Sequence, residues 1–301
     1  MKRPRLSDAD REHRRRRMRR HRKRYYIRSV YLLPSMATLG NAVCGFAAIY
    51  VAALSASAVE SPDPFTRWWA QEAFVRAAYL IFLAMVFDAL DGRLARFARH
   101  TTDFGGQLDS LADVVSFGAA PAFMALLLMR ASFRAWMVPL ELSRLNWAIG
   151  ALYFSCAAIR LARFNVSNEH GEQHHRSFLG LPSPGAGGVV ASWILMQQYL
   201  AAQKHPVTSG LATACLVVLP LIVCTMGLLM VSNIRYPHLV NRYLRGRQPL
   251  MMLLGGVGAV LLLVVCHQYA LGLGMLGYAL YGPVLWAWAK VRRRHPQVVV
   301  A

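Results

Sequence analysis

Four aspartates set the chemistry of this sequence. Asp88 and Asp91 stand three residues apart, and Asp109 and Asp113 four apart, in the stretch FDALDGRLARFARHTTDFGGQLDSLADVVSFGAAP at 87–121. On helices both spacings bring the side chains onto one face. The short turn around 100–105, with Thr101, Thr102, Gly105 and Gly106, is expected to fold the second helix back against the first. Two carboxylate pairs would then face each other. Four carboxylates at that range in apolar surroundings cannot all stay ionised without cations between them. The expected occupants are one or two divalent ions with oxygen ligands, of the Mg2+, Mn2+ or Ca2+ type. Pairing with an arginine, for example Asp88 with Arg96, would satisfy one acid but leaves the repeated helical spacing unexplained.

The neighbours of these acids suit a phosphate-bearing ligand. Gly92 and Ala95 leave the helix face bare, so a ligand can approach the backbone, and Arg93, Arg96 and Arg99 offer guanidinium forks to phosphate oxygens. Metal, carboxylate and arginine beside apolar segments point to phosphoryl chemistry on a lipid. Further along, Arg160 and Arg163 in AIRLARFNV share a helix face. They either grip a substrate carboxylate or phosphate, or anchor a span end. Asn41 lies inside an apolar segment, as a ligand-facing group or as a helix–helix hydrogen bond. GLPSPGAGG at 180–188 is a Pro/Gly break that either covers a site or simply turns the chain.

Other motifs are weaker. His170, His174 and His175 have zinc-like spacing but sit in a polar loop without further ligands, which favours a solvated cluster. GLGMLG at 272–277 satisfies G-x-G-x-x-G without the preceding strand a dinucleotide site needs, so close helix packing explains it better. The five cysteines are scattered through apolar segments with no C-x-x-C pair, and read as small buried hydrophobes.

The elements that must position these residues are membrane helices. The 301-residue chain is 56% hydrophobic with 14 acidic residues and a formal charge of +20. Its mean hydropathy is +0.33, and its charged fraction of 16% falls below the roughly 25% usual in soluble domains. Eight spans are expected, near 32–57, 74–98, 106–129, 146–165, 184–203, 209–231, 249–268 and 270–289. Residues 1–30 carry 14 Lys/Arg and no apolar core. Such a tail reads as a disordered cytoplasmic segment held to anionic headgroups, in preference to a nucleic-acid site or a signal peptide. Counting Lys and Arg on the two sides of the eight-span arrangement gives 28 against 6. That bias puts both termini, and the acidic cluster, on the cytoplasmic side. Trp68 and Trp69 after Arg67 read as an aromatic anchor at the opposite interface.

The order Asp88-x2-Asp91-Gly92-x2-Ala95-Arg96-x8-Gly105-x3-Asp109-x3-Asp113 resembles, position for position, the signature of the CDP-alcohol phosphatidyltransferases. The flanking blocks LLPSMATLGNAVCG at 32–45, DSLADVVSFGAAPA at 109–122, AIRLARFNV at 158–166, FLGLPSPGAGG at 178–188 and VSNIRYP at 231–237 are similar to the membrane-bound phosphatidylserine synthase branch. Ser35 stands where relatives often carry Asn. The resemblance implies an all-α polytopic fold, with a six-helix catalytic core plus two C-terminal helices. It divides the chain into the tail at 1–30, a catalytic domain at 31–237 and an added helical pair at 238–301.

It further implies transfer of the phosphatidyl group of CDP-diacylglycerol to L-serine, with release of CMP, by a homodimer in a bacterial inner membrane. In that scheme Asp88, Asp91, Asp109 and Asp113 hold Mg2+ or Mn2+, and Asp113 also serves as base. Gly92 and Ala95 lie against the nucleotide, supported by Arg96 and Gly105, with Asn41 in the same pocket. Two rivals stay open at this stage. One keeps the chemistry with glycerol 3-phosphate, inositol phosphate or choline as acceptor. The other, a divalent-cation transporter, would need acids spread across the bilayer, whereas these cluster at one face. A non-catalytic scaffold gives no reason for the Asp/Gly/Arg spacing.

Overall fold

The computed structural model describes residues 36–56, 63–98, 103–137, 139–169, 178–203, 205–236 and 266–293. Helix α1 spans Met36–Leu54, α2 Pro64–Gln71 and α3 Ala73–Ala98. Helix α4, Asp103–Asp113, runs through a π-helical turn, Val114–Ala119, straight into α5, Ala120–Ala135. Helices α6, Leu140–Glu169, α7, Ser183–Ala202, α8, Pro206–Val231, and α9, His267–Arg293, follow. The only strand pairing among the described residues is two residues long, β1 Phe178–Leu179 antiparallel to β2 Arg235–Tyr236.

The protein is an integral membrane protein of the expected all-helical class. Six of its described helical segments are long and apolar enough to cross a bilayer: α1, α3, α4 to α5, α6, α8 and α9. Helix α7, expected as a span, is the least lipid-like. Its 20 residues reach about 30 Å at 1.5 Å per residue, but its glycines, serines and glutamines meet other helices instead of lipid. Gly185, Ala186, Gly187, Gly188, Val189, Val190 and Ala191 are all buried, and α3, α8, α9 and the π-helical turn pack around them. Outward-facing Val43, Phe46, Leu83, Leu111, Val217 and Leu221 stay exposed, as lipid-facing side chains do. The expected span 249–268 lies almost wholly outside the described residues, as does the basic tail.

One expectation is corrected. Gly105 and Gly106 belong to the first turns of α4, which starts at Asp103, and not to the connecting turn. Glycine disfavours a helix interior by only about 1 kcal/mol, and the packing of α4 against α6 outweighs that.

Two local devices shape the interior. Gly180 has φ +81°, and a Cβ there would collide with the Met230 carbonyl and lie 3.0 Å from Ser232 O. Only glycine suits that combination. Its N–H donates to Ile234 O at 2.9 Å, and Leu181 N–H donates to Leu229 O at 3.0 Å. The GLPSPG segment is thus tied to the C-terminal end of α8. Pro182, at ψ 141°, then starts α7 at Ser183.

The second device is Pro121, which has no N–H to give the carbonyl four residues back and whose ring crowds that carbonyl. That carbonyl belongs to Phe117, inside the π-helical turn. It is satisfied instead by the buried Tyr153 hydroxyl, which donates to it at 3.0 Å.

Candidate active site

Three carboxylates converge where α3 meets α4. Asp88, Asp109 and Asp113 each offer an oxygen, and these oxygens lie within 4.8 Å of one another. Asp113, the last residue of α4, and Asp91 are each 7% exposed. Asp91 stands beside the trio, and its Oδ2 accepts from the Thr38 hydroxyl. The π-helical turn begins at the residue after Asp113. An inserted residue of this kind changes the direction in which the helix presents its neighbours, which is why such turns gather at functional sites.

Helix α1 supplies the donors that hold the acids. Thr38 and Asn41, three residues apart and both fully or nearly fully buried, share a face. Asn41 Nδ2 donates to Asp113 Oδ1 at 3.0 Å. The Ser116 hydroxyl, from the π-helical turn, donates back to the Asn41 carbonyl at 2.8 Å. Gly45 makes this approach possible, because a Cβ there would lie 2.6 Å from Ser116 Cα. Asn41 therefore faces the site and is not merely a helix–helix link.

The other side of the site is built by α6 and the start of α7. Arg160 lies within electrostatic reach of both Asp113 and Asp88, and its Nη1 donates to the Ser183 hydroxyl. Arg163 goes elsewhere: its Nη1 donates to Val231 O at 3.3 Å and Asn233 Oδ1 at 3.2 Å, at the end of α8. The two arginines that share a face in the sequence are thus divided between the acids and a helix terminus. Gly92 is exposed, and a Cβ there would meet nothing within 4 Å among the described residues, which leave its face of α3 open. Gly105 is half-buried in α4; the side chains of Ala95 and Arg96 lie outside the described residues. So does the His170, His174 and His175 cluster.

Thr38 and Ser183 are site residues that the sequence reading did not single out. Thr38 had a signal, since it precedes Asn41 by three positions on one helix. Ser183 had none beyond its place in the Pro/Gly break. The donor set fits a hard divalent cation, with clustered carboxylate oxygens of which one group is buried. The buried Asn41 Oδ1, which has no hydrogen-bond partner among the described residues, is one more hard oxygen, from an amide.

The sequence profile described as CDP-alcohol phosphatidyltransferase matches residues 31–233. The chain belongs to this family. The family generally uses a divalent metal, in keeping with the buried aspartate cluster. Individual relatives are similar over much of the chain. The CDP-diacylglycerol–serine O-phosphatidyltransferase of Helicobacter pylori is 30% identical over 267 residues, 88% of this chain and 95% of its own. Its counterpart from Methanocaldococcus jannaschii is 32% identical over 203 residues, 67% of this chain and 80% of its own. That of Bacillus subtilis is 29% identical over 206 residues, 68% of this chain and 90% of its own.

Proposed function

We propose that the protein transfers the phosphatidyl group of CDP-diacylglycerol to the hydroxyl of L-serine, giving phosphatidylserine and CMP. The observation that carries this reading is the convergence of Asp88, Asp109 and Asp113, in a chain whose signature spacing and serine-using relatives agree.

Each residue then has a task. Asp88, Asp91, Asp109 and Asp113 hold the divalent ion, Mg2+ or Mn2+, which when bound neutralises charge on the substrate phosphates and the departing CMP. Asp113 takes the proton of the serine hydroxyl, because an alcohol is a poor nucleophile until a positioned base removes it. The serine oxygen forms its bond to the phosphatidyl phosphorus as the bond to CMP breaks. Asn41 keeps the Asp113 carboxylate in one orientation, and Thr38 does the same for Asp91. The open face at Gly92 receives the nucleotide together with Ala95, with Arg96 and Gly105 in support. Arg160, between the acids and Ser183, meets the serine carboxylate, while Arg163 braces the end of α8.

The reading extends to the whole chain. Residues 31–237 form the catalytic domain, 1–30 a basic cytoplasmic tail, and 238–301 an added helical pair. The Lys/Arg bias supports cytoplasmic termini and a site that opens to the cytoplasm of a bacterial inner membrane. There, acyl chains stay in the bilayer while soluble serine enters. The family resemblance supports a homodimer.

The test is CMP release by purified protein given CDP-diacylglycerol and, in turn, labelled serine, glycerol 3-phosphate, inositol phosphate and choline. Serine alone is expected to support release and to appear in lipid. Turnover that requires a different acceptor would overturn the assignment.

A further inference from the structure

Helix α9 lies beyond the family-matched residues, which end at 233, and none of the signature positions falls on it. It is nevertheless firmly attached. The Tyr79 hydroxyl and His267 Nε2 are 2.7 Å apart, which joins the start of α9 to α3. Along its length α9 meets α7 through small residues. A Cβ on Gly185 would lie 3.3 Å from Tyr278 Cε1, one on Gly188 would collide with Met275 Cε, and one on Gly272 would lie 3.1 Å from Met196 Sδ. Within a membrane, helices associate by such close packing, because burial from water no longer drives them together.

The seam delivers one polar side chain to a particular place. Gly185, on which the Tyr278 ring rests, is two residues from Ser183, the residue that accepts from Arg160. Tyr278 is half-buried and lies within electrostatic reach of the Arg160 guanidinium, as Asp113 and Asp88 do. Arg160 Nε is buried and makes no hydrogen bond among the described residues, so how this guanidinium is oriented decides where its unused donor points. A phenol oxygen, which accepts as well as donates, complements a group that only donates.

From this placement we infer that Tyr278 is a positioning residue for the acceptor alcohol. Its ring, seated on Gly185, closes the wall beside Arg160 and fixes where the guanidinium presents itself to the substrate carboxylate. Helix α9 is then part of the catalytic unit and not an appended anchor. The inference rests on the reading that Arg160 meets the serine carboxylate.

The experiment is steady-state kinetics of the full-length protein, varying serine and CDP-diacylglycerol separately, with thermal unfolding of each variant. Removal of the phenol oxygen in Tyr278→Phe is expected to raise the KM for serine about 3- to 10-fold. The kcat, the KM for CDP-diacylglycerol and the melting temperature should stay near wild type. Tyr278→Leu should raise the serine KM further. Tyr79→Phe, which loosens α9 far from the acids, should leave it unchanged. Wild-type serine KM in both Tyr278 variants would overturn the inference, as would a fall in kcat and melting temperature without a change in serine KM. Arg160→Lys separates the two levels. If it raises the serine KM while the Tyr278 variants do not, only the role of Tyr278 fails. If neither position affects it, the role given to Arg160 fails as well.

Discussion

Two corners of the molecule handle charge in opposite ways. At α2 and the start of α3, two charged side chains find partners close at hand, although Arg76 Nη1 is buried without a hydrogen bond among the described residues. Asp63 caps the helix, accepting from Thr66 N at 2.9 Å and Thr66 Oγ1 at 2.7 Å, and these bonds hold its carboxyl below the usual range. Arg76 lies against aromatic rings, its Cζ 3.7 Å from the Trp68 ring centroid and 5.7 Å from that of Trp69. At the junction of α3 and α4 three carboxylates are instead pressed together. Among the described residues, donors reach Asp91 and Asp113 but none reaches Asp88 or Asp109. A charge that is locally paired holds structure together. Like charges gathered in an apolar bundle with few donors wait for something from outside.

The comparison breaks if acids in the two corners respond alike to neutralisation. Asp113→Asn is expected to lower serine-dependent CMP release about 10²- to 10⁴-fold, the range for a lost general base, while CDP-diacylglycerol still binds. Asn41→Leu tests whether the donors around the cluster matter. Losing a hydrogen bond to a charged group should lower kcat about 10- to 100-fold, with the fold intact by circular dichroism.

Tyr153→Phe addresses the scaffold and not the chemistry. It orphans the Phe117 carbonyl that Pro121 cannot satisfy, and should cost about 1–3 kcal/mol of stability, read by unfolding in detergent. The smallest effect belongs to Asp63. Because folding lowers its pKa from 3.8, its cap stabilises above the unfolded value and the contribution is lost as pH falls through the folded one. Asp63→Ala should flatten the acid end of the stability profile and leave turnover at neutral pH unchanged.

The acidic site was legible in the sequence because helical periodicity turns spacing directly into a shared face. Asp88, Asp109 and Asp113 needed only two helices and a connection. Asn41 and Arg160 were legible as polar residues in apolar segments, but their direction was not. Arg160 and Arg163 are close neighbours on one helix face, and it is the start of α7 and the end of α8 that separate their roles. The π-helical turn left a trace in Pro121, four residues after Phe117, yet its consequence depends on Tyr153 from another helix. Tyr278 was beyond reach, since its position follows from packing against Gly185, more than ninety residues away in the chain. Local spacing could be read from the sequence; contacts between distant helices could not.

The most direct measurement is equilibrium binding of Mn2+ to the purified protein, followed by electron paramagnetic resonance in the presence of CDP-diacylglycerol. Wild type and Asp63→Ala are expected to bind the ion alike, and Asp88→Asn and Asp109→Asn each to weaken binding strongly. Undiminished Mn2+ binding by Asp109→Asn, or no binding by the wild type, would contradict that expectation.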